Sequence, residues 1–283
     1  MLKNKTNKMT NDFFKVDQSK CVKCALCVRD CAFRALRSGA DGFPEINKPE
    51  SCMRCQHCFA ICPKGAIEFN GKRAEDSVQT ANLELPSAAA VSNWMRVRRS
   101  VRHFRDGDVP REKLERILSA LGNTPTGCNA RALTFTCYST RESMAAFKAK
   151  FLRELEIYRD GNKMLPRWLA VPAIKMRKGG EDVFFRNAAG MVVISCDETA
   201  PGVVTPLQDI AAACAYFEML AQAEGVATCW CGFLDLVKRD VPTIARALGL
   251  RETTPFYAML FGESAVRYVR GVQRDDEAQV IWL

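Results

Sequence analysis

Eight of the fourteen cysteines in this 283-residue chain lie between Cys21 and Cys62, in two runs of one spacing. The first, CVKCALCVRDC, supplies Cys21, Cys24, Cys27 and Cys31. The second, CMRCQHCFAICP, repeats it 31 residues later with Cys52, Cys55, Cys58 and Cys62, followed by Pro63. Thiolates are soft ligands, and gaps of two residues let one tight loop present three of them to a single centre. The repeat therefore points to two metal sites. A disulfide framework would suit a secreted chain better, and zinc sites commonly take two pairs of ligands, not a run of four.

The spacing resembles that of a bacterial-type two-cluster ferredoxin, in which the fourth cysteine of each run crosses to the other [4Fe–4S] cluster. The resemblance implies Cys21, Cys24, Cys27 and Cys62 on one cluster, and Cys52, Cys55, Cys58 and Cys31 on the second. It departs at Ala32, which stands where the second run has Pro63. His57 lies between two of these ligands and reads as a local surface contact, with hydrogen-bond tuning of a cluster as the other role. So small a domain has little hydrophobic core, and the clusters would have to hold it. Its expected extent is 16–71, after a flexible arm at 1–15, with turns marked by Gly39, Gly42, Pro44, Pro49 and Gly71.

A second chemical signal is RVRRSVRHF, where Arg98, Arg99, Ser100 and Arg102 set three guanidinium groups and a hydroxyl within five residues. Such a run can bind phosphate through forked, charge-assisted hydrogen bonds, or can be merely a solvated helix end. No Gly-x-Gly-x-x-Gly follows a strand-like segment and no Gly-x4-Gly-Lys-Ser/Thr occurs. With His57 and His103 the only histidines, no catalytic triad is offered either.

The elements that must position these groups follow a mixed α+β order. Residues 72–91 are polar and alanine-rich and read as a linker, and 92–283 as a second domain. Leu114, Ile117, Leu118 and Leu121 form a helical stripe started by Asp108 and Pro110 and ended by Gly122. ALTFTCYS at 132–139 alternates as a strand. A helix over 141–158 carries Met144, Phe147, Phe151 and Leu155 on one side, and 160–185 reads as an irregular, lid-like insertion. MVVISCD and PFYAMLFG read as buried strands, 207–225 as a long helix and ATCWCGFL as strand or loop. A short helix capped by Asp240 and stopped at Gly249 completes the order.

Composition bounds the function. With 48% apolar and 26% charged residues the chain can bury an ordinary core. No apolar run is long enough for a signal peptide or a membrane span, so a cytoplasmic protein that engages no membrane is expected. The formal charge of +9 counts cysteines as neutral; two oxidised clusters would bring it to about +5. The basic residues are scattered, which argues against nucleic acid while leaving a face for an acidic electron carrier. Cys128, Cys137, Cys196, Cys214, Cys229 and Cys231 show no framework spacing and read mostly as small buried side chains.

In order, RRSVRHF, TPTGCNARALTF, AAACAYFEMLAQAEGVATCWCGFLD and MLFGESAVRYVRGVQR resemble the FMN-dependent nitroreductase family over residues 93–283. Together with the cysteine runs, the whole resembles the ferredoxin-fused nitroreductases. The resemblance implies an α+β flavin domain with a central, mostly antiparallel sheet surrounded by helices. It implies that Arg98, Arg99, Ser100 and Arg102 bind the FMN phosphate and ribityl chain, and that Pro125, Thr126, Gly127 and Asn129 line the flavin from a neighbouring subunit of a homodimer. Cys231 and Gly232 fall beside the flavin N5, and Arg270 and Arg274 in a C-terminal basic motif that closes on the phosphate. Ala130, Arg131, Ala132 and Leu133 stand where the family commonly has Gln-Pro-Trp. Taken singly, Asn129 is a turn residue and Gly232 a strand kink; Cys231 is a redox thiol or mere packing. Tyr216 and Phe217 read as core, while Trp168 and Trp230 either stack over substrate or pack.

The function implied is an oxidoreductase that takes electrons from an external one-electron donor such as ferredoxin, through two [4Fe–4S] clusters and FMN, to a small acceptor such as a nitro compound or quinone. NAD(P)H is possible but not required, and the chemistry resides on the flavin, with no catalytic side chain. The alternative is an electron-transfer or sensing module with FMN but no substrate of its own. Turnover of nitroaromatics or quinones separates the two. A third reading, an iron–sulfur protein with a degenerate C-terminal domain, predicts no bound FMN.

Overall fold

The computed structural model describes residues 13–161, 163–274 and 278–283, and the chain divides into two compact units, Met1–Pro86 and Ser87–Leu283.

The first unit is a duplication visible in the backbone. β1 (Phe14–Val16), α1 (Leu26–Arg29), β2 (Leu36–Ser38), β3 (Pro44–Ile46), α2 (His57–Ala60) and β4 (Ile67–Phe69) are each three or four residues long. The left-handed residues recur at the 31-residue offset: Lys23 and Arg54, Ala25 and Gln56, Arg34 and Gly65. L-residues adopt this region at a cost, so its repetition at matching places marks loops whose path is dictated by the groups they present. β1 pairs with β4 and β2 with β3, both antiparallel. Each pair joins a strand of one half to a strand of the other, so the halves interlock and carry each run's last cysteine toward the opposite half.

The apolar core here is small, comprising Phe13, Phe14, Cys27, Leu36, Ile67 and Phe69. Phe13 and Phe14 were expected within the flexible arm, but both are buried, and Phe13 meets Phe69 edge to face at 5.5 Å. Their polar neighbours concealed this in the sequence. The rest of the expected arm, residues 1–12, lies outside the described residues. The stretch expected as a linker holds short turns at Ala74–Asp76 and Thr80–Asn82, and from residue 88 it is already α3 (Ala88–Val97), capped by Ser87 Oγ on the Ala90 N–H at 3.2 Å.

The second unit is built on an antiparallel sheet in the order β5 (Leu133–Tyr138), β6 (Gly190–Cys196), β8 (Phe256–Gly262), β7 (Ala227–Trp230). Every residue of β6 is buried, and its side chains alternate between two cores. Met191 and Val193 join the Phe147, Phe151, Phe184 and Phe185 cluster beneath α5 (Arg141–Asp160); Val192, Ile194 and Cys196 join Phe217 and Phe261 beneath α4 (Arg111–Ala120) and α7 (Pro206–Ala223). Covering both faces with apolar side chains, each contributing about 1.5–3 kcal/mol when fully buried, makes this unit self-supporting. Thr140 and Ser143 form a reciprocal capping box at the start of α5.

The insertion at 160–185, expected to be irregular, contains α6 (Arg167–Arg177), which buries Leu169 and Ala173. Pro172 inside it disguised the helical period. ATCWCGFL is divided: β7 ends at Trp230 and α8 (Gly232–Asp240) begins two residues on. Asp240 therefore ends a helix and accepts from Trp168 Nε1 at 3.1 Å, while the short helix that follows, Pro242–Leu248, is of the tighter 3-10 form and stops at left-handed Gly249. Phe217 is fully buried, but Tyr216 is 40% exposed and is not core. Trp168 packs beside Phe233, and Trp230 edge-on against Tyr257. Among the described residues no helix is long and apolar enough to cross a membrane.

Candidate functional site

In the first unit Cys21, Cys24, Cys27 and Cys62 line one pocket, closed by Val22, Leu26, Pro44, Pro63 and Ile67. Burial pushes the Cys52 thiol up, with Cys31 and Cys55 adding to the shift, and burial pushes Cys58 up to about 12, with Cys52, Cys55 and, from the other four, Cys27 adding. Cys27 is raised in the same way, by burial first and then by Cys62 and Cys24. Crowded, half-buried thiols resist becoming thiolates unless a cation shares the pocket, which is the chemistry of a metal-ligand cage. Matching backbone donors serve the sulfurs that end each run, Ala35 N–H to Cys31 Sγ and Ala66 N–H to Cys62 Sγ, both at 3.3 Å. Such bonds favour sulfur carrying negative charge. Among the described residues no group of three Cys, His, Asp or Glu converges as a single metal ion requires. The donor set fits iron–sulfur ligation. His57 Nδ1 lies 3.4 Å from Asp30 Oδ2, the surface contact expected of it.

In the second unit the basic run follows the end of α3 and is fixed on both sides. The Arg98 N–H donates to Trp94 O at 3.0 Å, and the Val101 N–H to Thr228 O on β7 at 2.8 Å. Arg98 and Arg99 line a pocket with Glu218, Gln222, Thr228 and Tyr268. Arg98 Nη1 pairs with Glu218 Oε1 at 3.2 Å, and Arg99 Nη1 donates to the Arg98 carbonyl. Arg99 Nη2 is buried with no hydrogen-bond partner among the described residues. An orphaned guanidinium nitrogen beside a second arginine fits an anionic group such as a phosphate.

Ser100 and Arg102 are not part of that pocket's lining. Arg102 Nη1 donates to Ser100 O at 3.3 Å, and its charge reaches Cys229, whose thiol burial pushes up and Arg102 and Arg186 pull down. Arg186, which the sequence did not single out, is left-handed and lies 5.8 Å over the Phe233 ring.

The loop Pro125–Asn129 is secured separately. The Gly127 N–H donates to Asp209 Oδ1 at 2.9 Å, and Thr205 Oγ1 donates to the same oxygen at 3.0 Å. A Cβ at Gly127 would run into Thr205 Oγ1, so any side chain there must displace Thr205. Cys128, Asn129 and Arg131 are left-handed, and the Thr126 carbonyl and hydroxyl hold this shape by accepting from the Asn129 and Arg131 N–H groups.

Cys231 is buried, its thiol pushed up to about 12 by burial, and it points weakly at Phe184 O, 3.8 Å away. Gly232 opens α8 as its first residue; in that first turn the Leu234 N–H already donates to Cys231 O at 3.2 Å. The C-terminal segment runs back along the basic run: Arg105 N–H to Glu263 O at 2.8 Å and Ala265 N–H to His103 O at 2.9 Å. Tyr268 then reaches the Arg98 pocket and Gly271 approaches Arg96, so Arg270 lies between two points of contact with this region while Arg274 lies beyond them.

Asp209 and Glu218 were missed in the sequence. Their signal was faint: they are the two carboxylates of the alanine-rich α7, whose other side chains are uncharged.

Residues 20–67 match the model of a 4Fe-4S dicluster domain. An uncharacterised protein of Methanocaldococcus jannaschii is 38% identical over 56 residues, and the methylamine utilization ferredoxin-type protein MauM of Methylobacillus flagellatus 42% identical over 59. These matches span 20% and 18% of this chain and only 20% and 25% of those relatives. A Bacteroides fragilis nitroreductase solved with bound FMN has the fold of the second unit, with a TM-score of 0.53 at 19% identity, covering 70% of this chain and all of that one. Residues 95–263, more than half of the chain, match the nitroreductase family, and the protein belongs to that family.

Proposed function

We propose that this chain is an iron–sulfur flavoenzyme. It takes electrons singly from an external donor such as a ferredoxin at its cysteine unit and delivers them to a small organic acceptor, a nitro compound or quinone, at its second unit. The observation that carries the reading is the presence, on one chain, of a four-thiol pocket and a nitroreductase-fold unit with an arginine nitrogen buried and unpartnered beside Arg98.

Cys21, Cys24, Cys27 and Cys62 would hold one [4Fe–4S] cluster, and Cys52, Cys55, Cys58 and Cys31 the second. Arg98 and Arg99 would hold the phosphate of FMN, with Ser100 and Arg270 beside them. When bound, FMN supplies the ability to collect single electrons and to pass them on as a hydride or one at a time. The protein's part is to bind, orient and bias. The Gly232 N–H at the start of α8 would face the ring near N5, and the positive charge of Arg102 would favour negative charge on the ring. Cys231 packs beneath this point without reacting. Pro125, Thr126, Gly127 and Asn129 would line the flavin of a second subunit in a homodimer. The exposure of Met95 on α3, Leu207, Tyr216 and Met219 on α7, and Ile281 and Trp282 at the C-terminus supports such an interface. NAD(P)H is not required.

Anaerobic purification with iron, sulfide and flavin counted per chain tests the cofactor content. About eight iron, eight sulfide and one FMN are expected; zinc in place of iron, or a colourless second unit, would overturn the reading.

A further inference from the structure

We propose that Glu218 is the positioning residue for Arg98: it holds one edge of the guanidinium so that the rest of the fork faces a phosphate monoester, and so gives the chain its preference for a phosphorylated flavin. The inference rests on the FMN reading above.

Glu218 occupies a place where a carboxylate is costly. It is 7% exposed on α7, next to Phe217 and within one turn of Cys214 and Ala221, all fully buried. A charge in such surroundings is tolerated when it is paired, and Arg98 Nη1 lies 3.2 Å from its Oε1. The pair joins residues 120 apart, bridging the end of α3 to the middle of α7.

The geometry does more than neutralise the acid. A guanidinium has five N–H donors in a rigid plane, so fixing Nη1 sets the plane and leaves the others free to point elsewhere. Arg98 is still 37% exposed. Its backbone is held to Trp94 on one side and, through Val101, to Thr228 on the other. Main chain and tip are thus both fixed, and the free edge belongs to the pocket that also contains Arg99.

Charge balance favours the same occupant. Glu218 offsets one of the two arginines, and Arg99 brings a buried Nη2 without a partner. One uncompensated cation with an orphaned donor calls for an anion. A neutral ribityl end would leave both unmet.

The test measures dissociation constants of the full-length protein, freed of flavin, for FMN and for riboflavin, which lacks the phosphate. Glu218→Ala should weaken FMN about tenfold or more, the scale of a misplaced charge-assisted bond, and leave riboflavin within about twofold. Glu218→Gln, which still offers Arg98 an acceptor, should stay within about threefold for FMN. Arg98→Ala should reduce the same preference at least as far, and adding Glu218→Ala to it should change nothing further, because the acid acts through the arginine. Equal weakening of FMN and riboflavin by Glu218→Ala, or an undiminished effect in the Arg98→Ala background, would overturn the inference and leave Glu218 a clamp between helices. An Arg98→Ala protein that keeps its preference for FMN would instead overturn the phosphate assignment of Arg98. Should Glu218→Ala fail to fold, Glu218→Asp serves in its place, keeping the charge but drawing the carboxylate back from Arg98 Nη1. Selective loss of FMN supports the inference, and equal loss of both flavins contradicts it.

Discussion

In the first unit four thiols from short loops line one pocket, on strands three residues long and a core of a few side chains. In the second, Arg98 follows the end of α3, Gly127 stands on a loop and Gly232 opens α8, and their support comes from two apolar clusters on either side of β6. The first unit is organised by what it ligates, whereas the second is organised before any cofactor arrives. A small fold with little buried surface depends on its metal, and one with a full core does not.

The largest effect that tests this contrast is loss of a ligand. Cys58→Ala should abolish its cluster and unfold the first unit, seen as loss of visible absorbance and rapid proteolysis before residue 87, with the second unit still folded. A first unit that stays protease-resistant would show that its strands suffice without metal.

A smaller effect is expected in the second unit from Gly127→Ala, whose Cβ would meet Thr205 Oγ1 at 2.1 Å. Overpacking of this kind costs about 1–3 kcal/mol. Thermal unfolding should show that loss in the second transition alone. An unchanged melting temperature would mean that the loop yields without the Asp209 anchor.

The effect that is smallest at neutral pH, and grows only above it, is alkaline. Burial pushes Cys214 up to about 12 and Cys137 to about 11. Below the ordinary thiol range, near 8.5, folded and unfolded chains hold these protons alike. Above it the unfolded chain releases protons that the folded one keeps, so stability falls as pH rises, by about 1.4 kcal/mol per pH unit per thiol, until the folded thiols ionise as well. Thermal unfolding between pH 8 and 11 should show the decline, and Cys214→Ala should make it shallower. A slope identical in the variant would remove Cys214 from the account.

The same contrast governs how much could be read in advance. Cluster ligation demands closely spaced thiols, so the eight candidate ligands stood out by spacing alone, while the grouping of Cys62 with the first run came from the resemblance to two-cluster ferredoxins; those four thiols do line one pocket. The second site is assembled across the fold. Glu218 meets Arg98 across 120 residues and Asp209 meets Gly127 across 82, and neither pairing leaves a local signature. In the second unit the strands and the helices α4, α5 and α7 were legible because their apolar periods are regular, whereas the three- and four-residue elements of the first unit are too short to show a period. α6 was not, because Pro172 breaks the pattern, and α8 was not, because WCGF continues the apolar look of β7 past the point where the chain turns. Phe13 and Phe14 were hidden by the polar run before them.

Whether the two units act as one enzyme is tested most directly by anaerobic reductive titration of the full chain with a reduced ferredoxin, followed by absorbance and by addition of a quinone or nitroaromatic acceptor. The account predicts that bleaching of the iron–sulfur bands is followed by bleaching of the flavin band, and that the acceptor restores both. Iron–sulfur bands that bleach while FMN stays oxidised, with NADH alone reducing the flavin rapidly, would contradict it.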